Sequence, residues 1–253
     1  MSLTVITVKV DKKDGPFDIY SDLISSLKSN TLQSGDVIVI SSKYIANSQG
    51  RVLEMRNTKP MQSAIKMAER YKMDPRFAEI ILRESDAVFG GVAGFVLTSS
   101  DGIMAPNAGI DKSNTKSGRV ILYPNESYEI AESLKRKILL DFGIHVGVII
   151  VDSRLMPARP GTVGVSIACA GFEPTYDMRG QKDLDGNPLK VTMKATADSL
   201  ATIANHKMGE GAESTPIAIV RDSGITLTDR RIRQDETTVP YEMCVYVRGL
   251  RGL

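Results

Sequence analysis

Three carboxylate residues stand in separate loops of the sequence, each beside hydroxyl, amide or glycine neighbours. Asp152 ends the apolar run VGVIIVD and is followed by Ser153, Asp111 lies in NAGIDKSN, and Glu210 lies in KMGEGAEST. Carboxylate and hydroxyl oxygens are the ligands that Mg²⁺ and Mn²⁺ prefer, and such ions share their remaining positions with phosphate oxygens. Taken singly, each acid is more typical of a solvated turn than of a metal site. We expect Asp111 and Asp152 to approach one another and share a divalent ion, with Glu210 nearby.

A second group of charged residues lies in YDMRGQKDLDGN (176–187). A solvated turn explains LDGN, whereas Arg179 and Lys182 could also hold a carboxylate or a phosphate. The sequence has neither a Walker A motif nor GxGxxG after a strand, and no convincing Ser-His-Asp or Cys-His set. His145, in an apolar run, and His206, near a helix end, are predicted to be structural.

Composition narrows the class of protein. The 253 residues are 42% hydrophobic and 25% charged with a formal net charge of +2, which is typical of an ordinary soluble domain and gives no overall field for nucleic acid. Cys169 and Cys244 are too few for a disulfide framework or a cysteine zinc site. There is no membrane-spanning apolar run and no signal peptide, so we expect a cytoplasmic protein with neither nucleic-acid nor membrane partners.

Hydrophobic periodicity predicts a mixture of elements that must position these loops. Strands are expected at 3–10, 35–43, 146–152 and 215–222, and helices at 18–29, 60–73, 74–85, 126–143 and 190–209. Asp74 is expected as an N-cap, Gly143 as a C-cap, and two short strands are expected around VFGGVAGFVLTS and GIMAPNAG. Because strands and helices do not alternate strictly, the pattern predicts an α/β or mixed α+β fold.

The motifs together resemble one known family. NAGIDKSN, VGVIIVDS, MRGQKDLDG and KMGE…TPIAIVR occur in the order found in coenzyme F420:L-glutamate ligases, and LQSGDVIVISSKYIANSQGRV and AEIILRES also look like their counterparts. The resemblance runs from about residue 3 to residue 222. The combination is far more specific than any single motif.

The resemblance implies an unusual two-part ligase fold that forms an intertwined homodimer. It implies a single ligase unit over residues 1–253, with two intertwined sub-domains whose boundaries cannot be read from the sequence. The implied activity is a GTP- and divalent-metal-dependent, GDP-forming addition of L-glutamate to the deazaflavin coenzyme F420-0 through an acyl phosphate. Two Mn²⁺ or Mg²⁺ ions are implied, with K⁺ as an optional further ion.

The resemblance also implies roles for individual residues, assigned by their positions in the matching motifs. Metal positions are Asp111, Asp152, Ser153 and Glu210. Nucleotide positions are Ser42, Lys43, Asn114, Met208, Gly209, Gly211, Ala212 and Glu213, and DGPF (14–17) lies near another nucleotide-contacting segment. Arg179, Lys182 and Arg159 are the expected catalytic cations.

The chain also departs from the family pattern. After Asp152 the family commonly reads Thr-x-Gly-Arg, whereas Leu155 and Met156 replace the Gly and Arg here, and Asn47 stands where a nucleotide-binding Lys is expected. Two alternatives therefore stay open. One is the same ligase mechanism acting on a different phosphorylated carboxylate. The other is a non-catalytic relative that binds nucleotide or deazaflavin.

Overall fold

The computed structural model describes residues 2–13, 15–27 and 32–251, and its elements are mixed α and β. The helices are Ile19–Leu27 (α1), Ser42–Ser48 (α2), Gln62–Tyr71 (α3), Pro75–Glu84 (α4), Ser127–Phe142 (α5), Thr196–Met208 (α6) and Val245–Arg251 (α7). The strands are Thr4–Val8 (β1), Val37–Ser41 (β2), Val52–Glu54 (β3), Ala87–Val92 (β4), Phe95–Ser100 (β5), Ile103–Pro106 (β6), Arg119–Ile121 (β7), Gly147–Leu155 (β8), Thr162–Ala170 (β9), Thr175–Asp177 (β10), Met193–Ala195 (β11) and Ile217–Arg221 (β12). The mixed fold class predicted from periodicity is confirmed.

A five-stranded sheet in the order β1-β12-β2-β8-β9 forms the centre of the fold. Its β2 and β8 strands are parallel, and its other neighbouring pairs are antiparallel. Residues 37–40 of β2 are fully buried because helices cover both faces. Leu23 of α1 and Leu134 of α5 pack on one face, and Leu200 of α6 packs on the other. The apolar run of β2 therefore follows from burial on two sides.

A further hydrophobic core lies beneath α3 and α4. Phe77 of α4 packs there with Val96 of the three-stranded sheet β4-β5-β6 and Val120 of the pair β3-β7. The predicted N-cap is confirmed, since the Asp74 side chain accepts a 2.8 Å hydrogen bond from the Arg76 N–H. Pro75 then takes the first helical position, where its missing N–H is no loss.

Several elements differ from the sequence prediction: VFGGVAGFVLTS forms two strands, β4 and β5, rather than one, and β8 continues to Leu155. Two further boundaries have a clear structural cause. The predicted helix 190–209 begins only at Thr196, because Met193–Ala195 pair with Thr175–Asp177 as an antiparallel hairpin. The strand predicted at 35–43 ends at Ser41, and α2 follows at once. A seven-residue helix is too short for periodicity to reveal. Residues 28 and 29 of the predicted helix 18–29 lie outside the described residues.

None of the helices within the described ranges has the length and apolar character needed to cross a membrane.

Candidate active site

A cavity of about 710 Å³ opens where the parallel pair of strands ends. Pairing of β2 with β8 stops at Ser41 and Val151, and both residues line the cavity. The carboxyl ends of parallel strands are where α/β proteins bind ligands, because the loops that leave them diverge and open a crevice. The segments 107–114 and 208–216 complete the walls.

Every residue predicted for metal or nucleotide from the resemblance lines this one cavity. The metal positions there are Asp111, Asp152, Ser153 and Glu210. The nucleotide positions there are Ser42, Lys43, Asn114, Met208, Gly209, Gly211, Ala212 and Glu213. Segments far apart in the sequence therefore meet as the resemblance implies, although their roles stay predictions. Phe17 of DGPF also lines the cavity, whereas Asp14 lies outside the described residues.

Asp111 is held by one lysine and one serine. Lys43 Nζ lies 2.5 Å from Asp111 Oδ2, and the Ser113 N–H donates a 2.6 Å hydrogen bond to Oδ1. Burial alone would raise the pKa of the Asp111 carboxyl, but the hydrogen bond and charge of Lys43, together with Ser113, lower that pKa below its usual value. Asp111 is therefore a carboxylate at neutral pH.

Asp152 contacts Ser42 of α2 and Arg154 of its own strand, β8. The Ser42 hydroxyl, at the start of α2, donates a hydrogen bond to Asp152 Oδ1. On the other side, Arg154 Nε lies 3.1 Å from Asp152 Oδ2. Asp152 and Arg154 are two positions apart on β8, so their side chains leave the strand on the same face.

Glu210 is held from the opposite face of β8. The Ser153 hydroxyl donates a 2.6 Å hydrogen bond to Glu210 Oε1, and the Asn205 amide of α6 donates one of 2.8 Å to the same oxygen. Successive strand residues point to opposite faces, which separates Ser153 from Asp152. Across the ranges that the structure describes, no three acidic, histidine or cysteine side chains are grouped closely enough to hold one ion. The carboxylate and hydroxyl oxygens of these residues are the ligands that a hard divalent ion prefers. They are divided between two walls of the cavity.

The two loops that carry these acids contact each other. Asn114, at φ +53°, donates a 3.2 Å hydrogen bond to the Gly211 carbonyl. Glu213 in turn accepts a 2.8 Å hydrogen bond from the Gly211 N–H. Gly209 has φ +80° and ψ 172°, a backbone conformation that favours glycine, and a side chain there would also displace the Glu213 carboxylate. The loop 208–215 is thereby fixed against the loop that contains Asp111.

A left-handed turn at residues 107–109 was not predicted from the sequence. Asn107, Ala108 and Gly109 all have positive φ, an arrangement that non-glycine residues adopt only at a cost of about 1–2 kcal/mol each. Asn107 Oδ1 accepts a 2.9 Å hydrogen bond from the Val96 N–H, and the Ala108 N–H donates one of 2.8 Å to Thr98 Oγ1. Asn107 and Gly109, residue types tolerant of this conformation, gave the local signal, and Ala108 gave none.

The three cations predicted to be catalytic are not brought to the cavity of the same chain. Arg179 pairs with Asp177 at 2.6 Å on an exposed hairpin, Lys182 lies further out on that hairpin, and Arg159 lies in an exposed turn after β8. None of them is among the residues that line the cavity. The cations that do line it are Lys12, Lys13, Lys43 and Arg154. Lys12 and Lys13 follow Asp11 just after the first apolar run, and this position at the end of a strand is the local signal for them.

Comparison with known proteins decides the family. A model of the family described as F420-0:Gamma-glutamyl ligase matches residues 7–222, which is most of the chain. The chain belongs to the F420-0:gamma-glutamyl ligase family. It is therefore an amino-acid ligase, and the resemblance seen in its motifs is confirmed.

Relatives in the family span most of the same length. The chain is 36% identical to a coenzyme F420:L-glutamate ligase of Methanopyrus kandleri over 221 residues, which covers 87% of each chain. It is 36% identical to the enzyme of the same name from Archaeoglobus fulgidus, with 81% of each chain covered. The corresponding protein of Methanocaldococcus jannaschii is also 36% identical, over 77% of this chain and 78% of its own. Residues 223–253 lie beyond the match to the family.

Proposed function

We propose that the protein ligates L-glutamate to the deazaflavin coenzyme F420-0, using GTP and divalent ions. The observation that carries this proposal is the single cavity lined by all of the metal and nucleotide positions of the family motifs. Its volume of about 710 Å³ lies within the range of about 300–1,000 Å³ of small-molecule sites. Family membership supports the glutamate ligation, and the cavity supports the nucleotide and the ions.

The proposed reaction has two steps. The acceptor carboxylate attacks the γ-phosphorus of GTP, the bond to the β-phosphate oxygen breaks, and an acyl phosphate and GDP form. The amino group of L-glutamate then attacks the acyl carbon, phosphate leaves, and the nitrogen loses a proton to give the amide. Such chemistry depends mainly on positioning and on neutralised charge, so it needs no protein nucleophile.

The residues of the cavity divide these tasks. Lys43 and the N–H groups of the loop 208–215 would bind the phosphates. Asp111 and Asp152 would hold one divalent ion, and Glu210 with Ser153 would hold a second, since the side chains of Asp152 and Ser153 leave β8 on opposite faces. When bound, such ions neutralise the charge of the phosphate oxygens.

We further propose that the active unit is a homodimer with a two-part, intertwined fold. The hairpin of residues 176–195 supports this, because nearly all of its residues are exposed in one chain. Its large apolar side chains Tyr176, Leu184, Val191 and Met193 are at least half exposed there. Burial of this hairpin against a second copy would cover them and could bring Arg179 and Lys182 towards the partner's cavity.

Mass spectrometry of the coenzyme after incubation tests the reaction. The protein is incubated with GTP, L-glutamate, Mn²⁺ and the glutamate-free coenzyme, with a parallel sample that lacks GTP. A mass gain of one or more glutamyl units that requires GTP is expected. Nucleotide turnover without an adduct would instead indicate a different acceptor, and binding without turnover would indicate a non-catalytic relative.

A further inference from the structure

Arg154 is a buried cation in the wall of the cavity. Its side chain is only 4% exposed, and it lies on β8 between Asp152 and Tyr123. Burying a cation is costly unless hydrogen bonds and an opposite charge compensate it. The contacts of the Arg154 guanidinium group therefore bear on the role of this residue.

One edge of the Arg154 guanidinium makes no hydrogen bond. Neither Nε nor Nη2 has a partner, although both atoms are shielded from solvent. These two nitrogens form the edge of arginine that binds carboxylate or phosphate through two parallel N–H bonds. A buried donor pair without an acceptor is rare in folded proteins, and a place in the machinery of a site is one accepted reason for it.

Asp152 does not use this edge. Its Oδ2 lies 3.1 Å from Arg154 Nε, which makes an ion pair without the geometry of a hydrogen bond, and its Oδ1 accepts from the Ser42 hydroxyl. Arginine keeps its charge in proteins, so the guanidinium is a cation. Asp152 thus compensates the charge of Arg154 without making a hydrogen bond to either nitrogen.

Tyr123 supplies a neutral donor beside the same group. Arg154 Cζ lies 5.2 Å from the centre of the Tyr123 ring, and the Tyr123 hydroxyl is likewise buried without a hydrogen-bond partner. Burial raises the Tyr123 pKa, so the phenol keeps its proton at neutral pH. Gly109 packs directly against both residues. A side chain there would meet the Tyr123 ring at 2.6 Å and Arg154 Nη1 at 3.4 Å.

We propose that Arg154 binds an oxyanion of a substrate, a carboxylate or a phosphate, through its Nε–Nη2 edge, with the Tyr123 hydroxyl as a neighbouring donor. This deepens the proposed function and rests on it only for the identity of the anion. Three molecules in the proposed reaction bring such a group: the nucleotide, L-glutamate and the acceptor. A specific pairing with one of them makes Arg154 a specificity-determining residue of the cavity.

Calorimetric titration of each anion into three variants tests the proposal. The variants are Arg154→Met, Arg154→Lys and, as a matched control, Arg136→Met, which changes an exposed arginine of α5. GTP, L-glutamate and the glutamate-free coenzyme are titrated separately, which distinguishes the source of the oxyanion. Because a bidentate charged contact is strong, Kd for one ligand should rise about 10- to 100-fold in Arg154→Met, and less in Arg154→Lys. The other two ligands and the control should change less than about threefold.

Thermal unfolding of the same samples separates binding from structure. Unchanged affinities for all three ligands in the Arg154 variants would overturn the proposal. An equal loss for all three with a lowered Tm would also overturn it, since Arg154 would then be only the structural partner of Asp152. If Arg154→Met does not fold, Arg154→Lys decides alone, because it keeps the charge and removes the two-donor edge. A wild-type protein that forms no glutamyl product, yet loses affinity for one anion in the variants, would refute the proposed function and leave this inference standing.

Discussion

At the scale of single residues, the carboxylates of the cavity differ in what holds them. Asp111 is paired with a lysine, Asp152 with a buried arginine, and Glu210 with neutral donors. The loss of one carboxylate charge therefore has a different structural consequence at each position. Asp152 and the loop of Asp111 offer the clearest tests.

Asp152→Asn should abolish turnover in a protein that still folds. The amide keeps the shape of the side chain but removes a charge proposed to bind a divalent ion. From the sequence alone, no effect on the fold was expected. The ion pair with buried Arg154 now predicts a lower Tm as well, since loss of one partner leaves a buried charge without compensation.

Turnover with Mn²⁺ and thermal unfolding measure both effects of this change. Asp229→Asn, at an exposed acid outside the cavity, is the control and should leave both quantities unchanged. Normal turnover by Asp152→Asn in Mn²⁺ would show that the metal assignment is wrong.

Asn114→Ala should weaken nucleotide binding without unfolding the protein. The change removes the hydrogen bond to the Gly211 carbonyl and therefore loosens the contact between the two loops of the site. A bond of this kind contributes about 0.5–1.5 kcal/mol, so an affinity loss of roughly 3- to 10-fold is expected. Asn57→Ala, at an exposed asparagine elsewhere, serves as the control.

Asp111→Ala should make nucleotide binding insensitive to Mn²⁺. The substitution removes a carboxylate proposed to bridge protein and ion, and it frees Lys43 from its ion pair. Calorimetric titration of GTP with and without Mn²⁺ measures the difference. If both loop variants bind GTP with the affinity and the Mn²⁺ dependence of the wild type, NAGIDKSN is only a solvated turn.

At the scale of elements, the left-handed turn 107–109 depends on the neighbouring strand β5. Thr98 Oγ1 donates a 2.7 Å hydrogen bond to the Ala105 carbonyl and accepts one from the Ala108 N–H, and the residue is fully buried. This turn places Gly109 against Tyr123 and Arg154 in the cavity wall. The strand thereby supports the site although it contributes no charged group to it.

Thr98→Val should destabilise the protein by about 2–4 kcal/mol, because two buried backbone groups lose their partner. The shape of the side chain is nearly kept, so packing changes little. Chemical denaturation measures the free energy of unfolding, with Thr7→Val on the exposed side of β1 as the matched control, expected within about 0.5 kcal/mol of wild type. Equal stability of the two variants would mean that the strained turn does not need Thr98.

At the scale of the whole molecule, the exposed hairpin 176–195 predicts association of two copies. The double variant Leu184→Asp, Val191→Asp should weaken the dimer at least tenfold, because each buried apolar side chain contributes about 1.5–3 kcal/mol. Leu184 is 106% exposed in one chain, and Leu140, at 78%, provides the control Leu140→Asp on α5. Light scattering over a dilution series measures the dimer. A wild-type monomer that stays fully active on dilution would contradict the prediction.

The sequence by itself determined the family, the mixed fold class and the segments that line the cavity. Long periodic helices such as α5 were predictable because their apolar spacing and the terminal Gly143 are local features. The acids in NAGIDKSN and VGVIIVDS were found because short motifs carry them. The start of α2 and the hairpin of residues 176–195 were missed, since each is decided by contacts that periodicity does not record.

Only the tertiary structure decided how the site residues are grouped. The alternation of β8 puts Asp152 and Ser153 on opposite faces, so carboxylates that meet in one cavity are divided between two walls. The burial of Arg154 against Tyr123 likewise depends on residues 31 positions apart, shown by the 5.2 Å contact. Such contacts depend on how strands and loops pack in three dimensions, and no local pattern in the chain encodes them.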